Sequence, residues 1–202
     1  MADSGTYEML KNFILGDKQP DQYSSLREER FFLAWDIRDN FDKIRNELKA
    51  QVVAGIRNRL EGFAQIRKWE FSVDGLDERT LDCRISVWNK DWRKHKCDAI
   101  VSFGFEYANW VHAYCGISLD QGKPFYNEIR EKFSSKGWQN DSQWPMWKYY
   151  NKPYLDMSDR EFYRQLLDQP GLNAVIASYC TEVETLAETL ETTFKVLGNP
   201  AP

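Results

Sequence analysis

Apolar residues recur three or four positions apart over residues 24 to 63, where Phe31, Trp35, Phe41, Ile44, Leu48, Val52, Ile56, Leu60 and Phe63 alternate with charged side chains. That spacing predicts an amphipathic helix, because positions three and four apart share one face. The run is long enough that a break is expected near Asp39 and Asn40. Its other face carries Arg38, Lys43, Arg45, Lys49, Arg57 and Arg59 mixed with acids, the signature of a solvated surface. Upstream, TYEMLKNFIL predicts a short helix over residues 6 to 15, a lid or arm packed on the body and followed by the loop GDKQPD.

A period of two then takes over. Four strands are expected, over 67–73, 81–88, 97–106 and 111–119, separated by VDGLDE, NKDWRKHK and YAN. No intervening segment is long enough for a crossover helix, so the strands form an antiparallel meander. Parity places Cys83, Ile85 and Val87, then Val101, Phe103 and Phe105, then Val111, Ala113, Cys115, Ile117 and Leu119, on buried faces. Arg84, Ser86, Trp88, His112 and Tyr114 point the other way.

After Gly122 the chain turns helical at PFYNEIREKF, and the stretch GWQNDSQWPMWKYYNKPYL has no clean period, so it reads as an ordered loop pinned by aromatics. Ser158 or Asp159 caps a helix over 159–168. Pro170 and Gly171 punctuate before a last helix over 172–197, whose stripe is Val175, Ile176, Tyr179, Val183, Leu186, Leu190, Phe194 and Leu197. Glu182, Glu184, Glu188 and Glu191 occupy its other face. The expected fold is a single α+β domain over 1–202: a helical part (1–66), a four-stranded antiparallel meander (67–120), then helices packed on one face together with the aromatic loop (121–202).

Aromatic residues make up 15% of the chain, and six of the eight tryptophans fall between Trp88 and Trp147, which concentrates candidate contact surface there. The net charge of −4 arises in the second half, the first being balanced, so the chain as a whole has no attraction for phosphate. The N-terminus lacks a secretory pattern and no apolar run approaches a bilayer span, which predicts a cytoplasmic protein with no membrane partner. Cys83, Cys97, Cys115 and Cys180 show no CxxC spacing and are expected to be reduced and buried.

Candidate chemistry is sparse. His95 with Cys97 and His112 with Cys115 have suggestive zinc spacings, but strand parity sends His112 and Cys115 to opposite faces, and zinc needs its ligands around one point. Neither GxSxG nor a phosphate-binding glycine loop occurs, so no catalytic residue, metal or cofactor is assigned. Two binding surfaces remain. Trp138, Trp144, Trp147, Tyr149 and Tyr150 in the proline-bearing loop, with Trp88 and Trp92 of the neighbouring hairpin, are the expected anchors for a protein partner. Lys90, Arg93, Lys94, His95 and Lys96 around Trp92 form the alternative, a basic hairpin for nucleic acid, set against the plainer reading of a solvated sheet end.

The order of features, namely a long amphipathic helix, the strand LDCRISVWNKDW, the segment IVSFGFEYANWVHAYCGISL, the loop QWPMWKYY and a closing helix, resembles the C-terminal region that follows the nuclease core in some bacterial PD-(D/E)XK-superfamily proteins. The resemblance spans about residues 30 to 195. The nuclease signature is missing, since Glu47 and Lys49 have the ExK spacing but lie in a helical pattern. What the resemblance implies is a freestanding accessory domain from DNA defence and phage conflict. The expected function is therefore a non-enzymatic protein-interaction module, with nucleic-acid binding and a degenerate nuclease-associated domain as the alternatives. The apolar stripes suit a homodimer as well as a core.

Overall fold

The computed structural model describes residues 24–75, 83–95, 97–107, 111–132, 137–166 and 168–198, without the side chains of 24–29, 94, 95, 107 and 196–198. The helix expected over 6–15, together with Lys96 and Trp110, lies outside the described residues. The chain divides into two compact units, Met1–Glu47 and Leu48–Pro202.

Helix α1 runs over Ser24–Arg67 without the break expected at Asp39 and Asn40. Asn40 instead donates its side-chain amide to the Asp36 carbonyl at 2.9 Å, so the residue read as a breaker bonds back onto the helix. The helix ends where Lys68 adopts φ 58, with Trp69 N–H bonded to the Ala64 carbonyl and Lys68 N–H to that of Gln65. These paired bonds satisfy carbonyls that the last turn leaves open. They also delay the first strand, β1, to Glu70–Asp74.

β1 is followed by β2 (Cys83–Trp88), a 3-10 turn (Lys90–His95), β3 (Ile100–Tyr107) and β4 (Val111–Ser118). Helix α2 (Tyr126–Lys132) leads to β5 (Met146–Tyr149), then α3 (Arg160–Arg164) and α4 (Gln169–Gly198). The sheet is antiparallel throughout in the order β1-β2-β3-β4-β5. It has one strand more than the sequence predicts. β5 was concealed because four residues, MWKY, are too few to show alternation, and its partner β4 lies far back in the chain. Asp159 caps α3 by accepting from Glu161 N–H at 2.9 Å. Pro170 and Gly171, expected to precede the last helix, lie in its first turn, where a missing proline N–H costs nothing and Asp168 accepts from Gly171 N–H at 2.7 Å.

The core of the Leu48–Pro202 unit lies between one face of the sheet and α4, with the Leu48–Arg67 stretch of α1 packed on α4. Ile85, Val87, Val101, Phe103, Phe105, Cys115 and Ile117 meet Val175, Tyr179, Val183 and Leu190, all at most 1% exposed. Gly55 permits the close approach of the two helices, since a Cβ there would stand 2.2 Å from Ile176. The acidic face of α4 staples its neighbours. Glu184 holds Arg59 by two bonds of 2.7 Å, Glu188 pairs with Arg67, and Glu182 accepts from Lys148 at 2.8 Å. Such partly exposed pairs contribute about 0.5 kcal/mol each, so they orient more than they stabilise.

The N-terminal part of the apolar stripe behaves differently. Val52, Ile56 and Leu60 are fully buried, whereas Phe31, Trp35, Phe41 and Ile44 are 45–51% exposed. The sequence periodicity is helical in both stretches, but among the described residues only the second is fully buried.

The four cysteines are free and buried. Burial pushes the Cys97 thiol up to about 11 and that of Cys180 up to about 12; Cys115 rises further, through burial and then the Glu182 carboxylate. A thiol raised from 9.0 to about 11 holds about 100-fold less thiolate at pH 8, so alkylation of the folded chain is expected to be slower by at least that factor until denaturant is added. Because these folded-state values lie above the unfolded one, stability is unaffected below pH 9 and falls above it. Each thiol contributes a slope of about −1.4 kcal/mol per pH unit until its folded value is passed. Melting temperatures from pH 8 to 11 check this, and Cys180→Ala should flatten the fall.

Candidate functional site

The residues that parity turns away from α4 build a second, open face of the sheet. Two rows cross it: Asp74, Arg84, Gly104, Tyr114 and Tyr149, then Ser72, Ser86, Ser102, Gly116 and Trp147. Large side chains stand beside glycines. A Cβ on Gly104 would lie 2.6 Å from the Tyr114 hydroxyl, and one on Gly116 would lie 2.6 Å from both Trp147 Cβ and the Met146 carbonyl oxygen. Glycine in a strand interior signals such a close approach, and here it seats the Tyr114 ring over Gly104 and lets β5 come close to Gly116 at Trp147.

A loop places Trp144 over this floor. The Asp141 carboxylate accepts from Gln143 N–H at 2.8 Å and Trp144 N–H at 3.0 Å, while Leu119 and Gln121 N–H bond the Gln143 and Ser142 carbonyls at 2.8 and 2.7 Å. The indole of Trp144 meets the Tyr114 ring edge-on at 5.8 Å and lies under the Arg84 guanidinium at 5.2 Å. On one side of it opens a cleft of about 310 Å³, walled by Tyr114, Trp144, Trp147 and Tyr149, with Arg84, Glu106, Asp141 and Gln143 at its rim. A second hollow of about 290 Å³ on the other side is lined by Ile100, Leu119 and the charged Asp98, Asp120 and Lys123.

One end of the cleft is set by Glu106, which accepts the Tyr149 hydroxyl and lies 3.6 Å from His112 Nδ1. The His112 and Tyr149 rings are edge-on at 5.4 Å, and His112 holds φ 56. This dyad fixes the two rings. The serine hydroxyls of the same face bond each other at 2.9 Å, and Cys115 faces α4, its thiol 3.4 Å from Glu182, so neither supplies a nucleophile to the dyad. The indole nitrogen of Trp147 is buried and has no hydrogen-bond partner. A buried donor without an acceptor costs about 1–3 kcal/mol.

The structure divides the expected anchors. Trp144, Trp147 and Tyr149 share the cleft. Trp138 lies on the opposite side, partly buried against the core, with the Lys148 ammonium 4.8 Å from its ring. Tyr150, one residue past β5, turns inward, is 7% exposed and donates to the Tyr179 carbonyl at 2.7 Å. Trp88 is half-buried against the core. Trp92 is 2% exposed, between Trp69 at 5.4 Å and Phe194 at 5.6 Å, and donates its indole N–H to Glu191 at 2.6 Å. Burial alone would raise the Glu191 carboxyl, but bonds from Trp92, Asn89 and Lys195 outweigh it and hold the group below the usual range.

The basic hairpin accordingly lacks its stacking ring. Trp92 presents no face to a base, Lys90 pairs with Glu70 at 2.8 Å and Arg93 with Asp98 at 3.5 Å. The side chains of Lys94 and His95, and all of Lys96, are outside the described set. Among the described residues no group of three His, Cys, Asp or Glu side chains is placed to hold a metal ion, and no helix is long and apolar enough to cross a membrane. Sequence reasoning had put Arg84 and Tyr114 on this face without making them part of a site. Gly104 was the signal for a large side chain lying over its strand, and Gly116 for a close neighbouring strand. Comparison with protein-family models, curated proteins and solved structures finds no match to any of them.

Proposed function

We propose that the chain is a non-catalytic binding module that holds a protein partner in the cleft between Trp144, Trp147 and Tyr149. The observation that carries this reading is the buried, unpaired Trp147 indole N–H in an aromatic-walled cleft, which suits an apolar or aromatic side chain flanked by a backbone carbonyl. Both charge signs stand at the rim, Arg84 against Glu106 and Asp141, a pattern that fits a polypeptide better than a polyanion. Rigid support of Trp144 by Asp141 lowers the entropy lost on binding, the condition under which a few aromatics dominate affinity. Service as a freestanding accessory domain in DNA defence is the setting that the resemblance to PD-(D/E)XK proteins adds.

The test is capture from nuclease-treated bacterial lysate by the tagged chain and by Trp144→Ala. One protein is expected near stoichiometric yield on the wild type, with retention at least about 10-fold lower on the variant. Equal retention by both excludes the cleft, and capture that disappears with nuclease treatment replaces the protein partner by nucleic acid.

A further inference from the structure

Asp141 is the clamp on which Trp144 depends. Its carboxylate accepts from Trp144 N–H at 3.0 Å and from Gln143 N–H at 2.8 Å, and its own N–H donates to the Trp144 carbonyl at 2.9 Å. The one hydrogen-bonding group of Asp141 left over is its carbonyl, and that accepts the Tyr126 hydroxyl. Three successive carbonyls of the loop are thus held from the segment that leaves β4. Asp141 is held by Tyr126, Ser142 by Gln121 N–H at 2.7 Å and Gln143 by Leu119 N–H at 2.8 Å. The last two ties join backbone to backbone. Among the described residues, Tyr126 is the only side chain from outside the loop that bonds the backbone of residues 139–144.

Tyr126 is itself fixed. It is the first residue of α2, is 3% exposed and belongs to the core. The far end of α2 is fastened by Lys132, which donates to the Thr193 hydroxyl of α4 at 2.7 Å. A ring set in the core cannot follow a loop that drifts, so the bond restrains Asp141 and not the reverse. Burial, and then the Asp141 carboxylate, push the Tyr126 hydroxyl above its ordinary value, which keeps it a donor. Tyr126 lines neither hollow beside Trp144, so any effect on a bound partner passes through Asp141 and Trp144.

We propose that Tyr126 is the positioning residue of the cleft: through the Asp141 carbonyl, its hydroxyl keeps the Trp144 indole immobile against the Tyr114 ring. An indole that is already ordered loses little freedom when a partner docks, whereas a mobile one must be ordered at that moment. The effect on binding rests on the reading of the cleft as a partner site; the effect on Trp144 does not.

The test is made on the ¹⁵N-labelled full chain, by the order parameter of the Trp144 indole N–H, its signal identified by loss in Trp144→Phe. Tyr126→Phe keeps the ring and removes only the hydroxyl. It is expected to lower that order parameter from about 0.85 to below about 0.6, the values of rigid and flexible groups. Tyr179→Phe also deletes one hydroxyl bond to a backbone carbonyl, away from the loop, and should leave Trp144 rigid. For the protein that the wild type captures from nuclease-treated lysate, Tyr126→Phe should weaken affinity about 3- to 10-fold. Added to Trp144→Ala, it should cost nothing more, because the residue it positions is gone. An unchanged order parameter in Tyr126→Phe, or an equal fall in Tyr179→Phe, would overturn the proposal, as would the same loss of affinity with and without the Trp144 indole. Equal affinity of the wild type and Trp144→Ala would contradict the cleft reading instead, and the positioning role then stands or falls on the order parameter.

Discussion

Tyr179→Ala is expected to lower folding stability by about 4 kcal/mol, in the range for removing a fully buried aromatic. Tyr179 is 0% exposed and ties α4 to the sheet and to the segment before α3. Its ring packs on Phe103 at 5.2 Å, Tyr150 at 5.0 Å and Tyr154 at 5.7 Å, and its hydroxyl donates to the Tyr154 carbonyl at 2.7 Å. Truncation leaves a cavity between rigid partners that cannot collapse into it. It also strands the Tyr154 carbonyl, and it loosens Tyr150, whose own hydroxyl bonds the Tyr179 carbonyl. Tyr179→Phe keeps the rings and loses one hydrogen bond, for a cost of about 1 kcal/mol. Urea unfolding followed by tryptophan fluorescence separates the two. A loss below 1 kcal/mol for the alanine variant would show that this aromatic cluster is not the keystone of the core.

Gly116→Val should damage the cleft as well as stability. A side chain at this position meets the Met146 carbonyl and Trp147 Cβ at 2.6 Å, and the first of these is backbone that cannot swing aside. β5 must move away from β4, or Trp147 must leave the floor. Overpacking of this kind costs about 1–3 kcal/mol. The functional effect is expected to be the larger one: loss of near-ultraviolet circular dichroism from the displaced indole, and partner capture reduced to the level of Trp144→Ala. Intact capture at reduced stability would place the binding surface elsewhere.

These expectations rest on features of unequal visibility in the sequence. The alternation in CRISVW, IVSFGF and VHAYCGIS is long enough to place Cys83, Ile85, Val87, Val101, Phe103, Phe105, Ala113, Cys115, Ile117 and Leu119 in the core, whereas Val111, expected with them, is only partly buried at the start of its strand. Trp92 was misplaced because its neighbours are charged, yet a 3-10 turn with three residues per turn sends it inward alone, onto Phe194 more than a hundred positions later. Tyr149 and Tyr150 are adjacent and equally aromatic; only membership of a four-residue strand, itself defined by pairing with β4, decides that one lines the cleft and the other the core. Periodicity likewise detects the helical stripe through Ile44 and Ile56 alike, but only tertiary contact decides which of them is covered.

The central claim is that the Trp147 indole N–H is the polar contact of a protein-binding cleft. The most direct measurement is a ¹H–¹⁵N spectrum of the indole groups, with Trp147→Phe identifying the signal, recorded as the captured partner is added. Formation of a new hydrogen bond should shift the Trp147 resonance downfield, while that of Trp92, already bonded to Glu191, stays in place. A partner that binds and leaves the Trp147 resonance where it was would contradict the account.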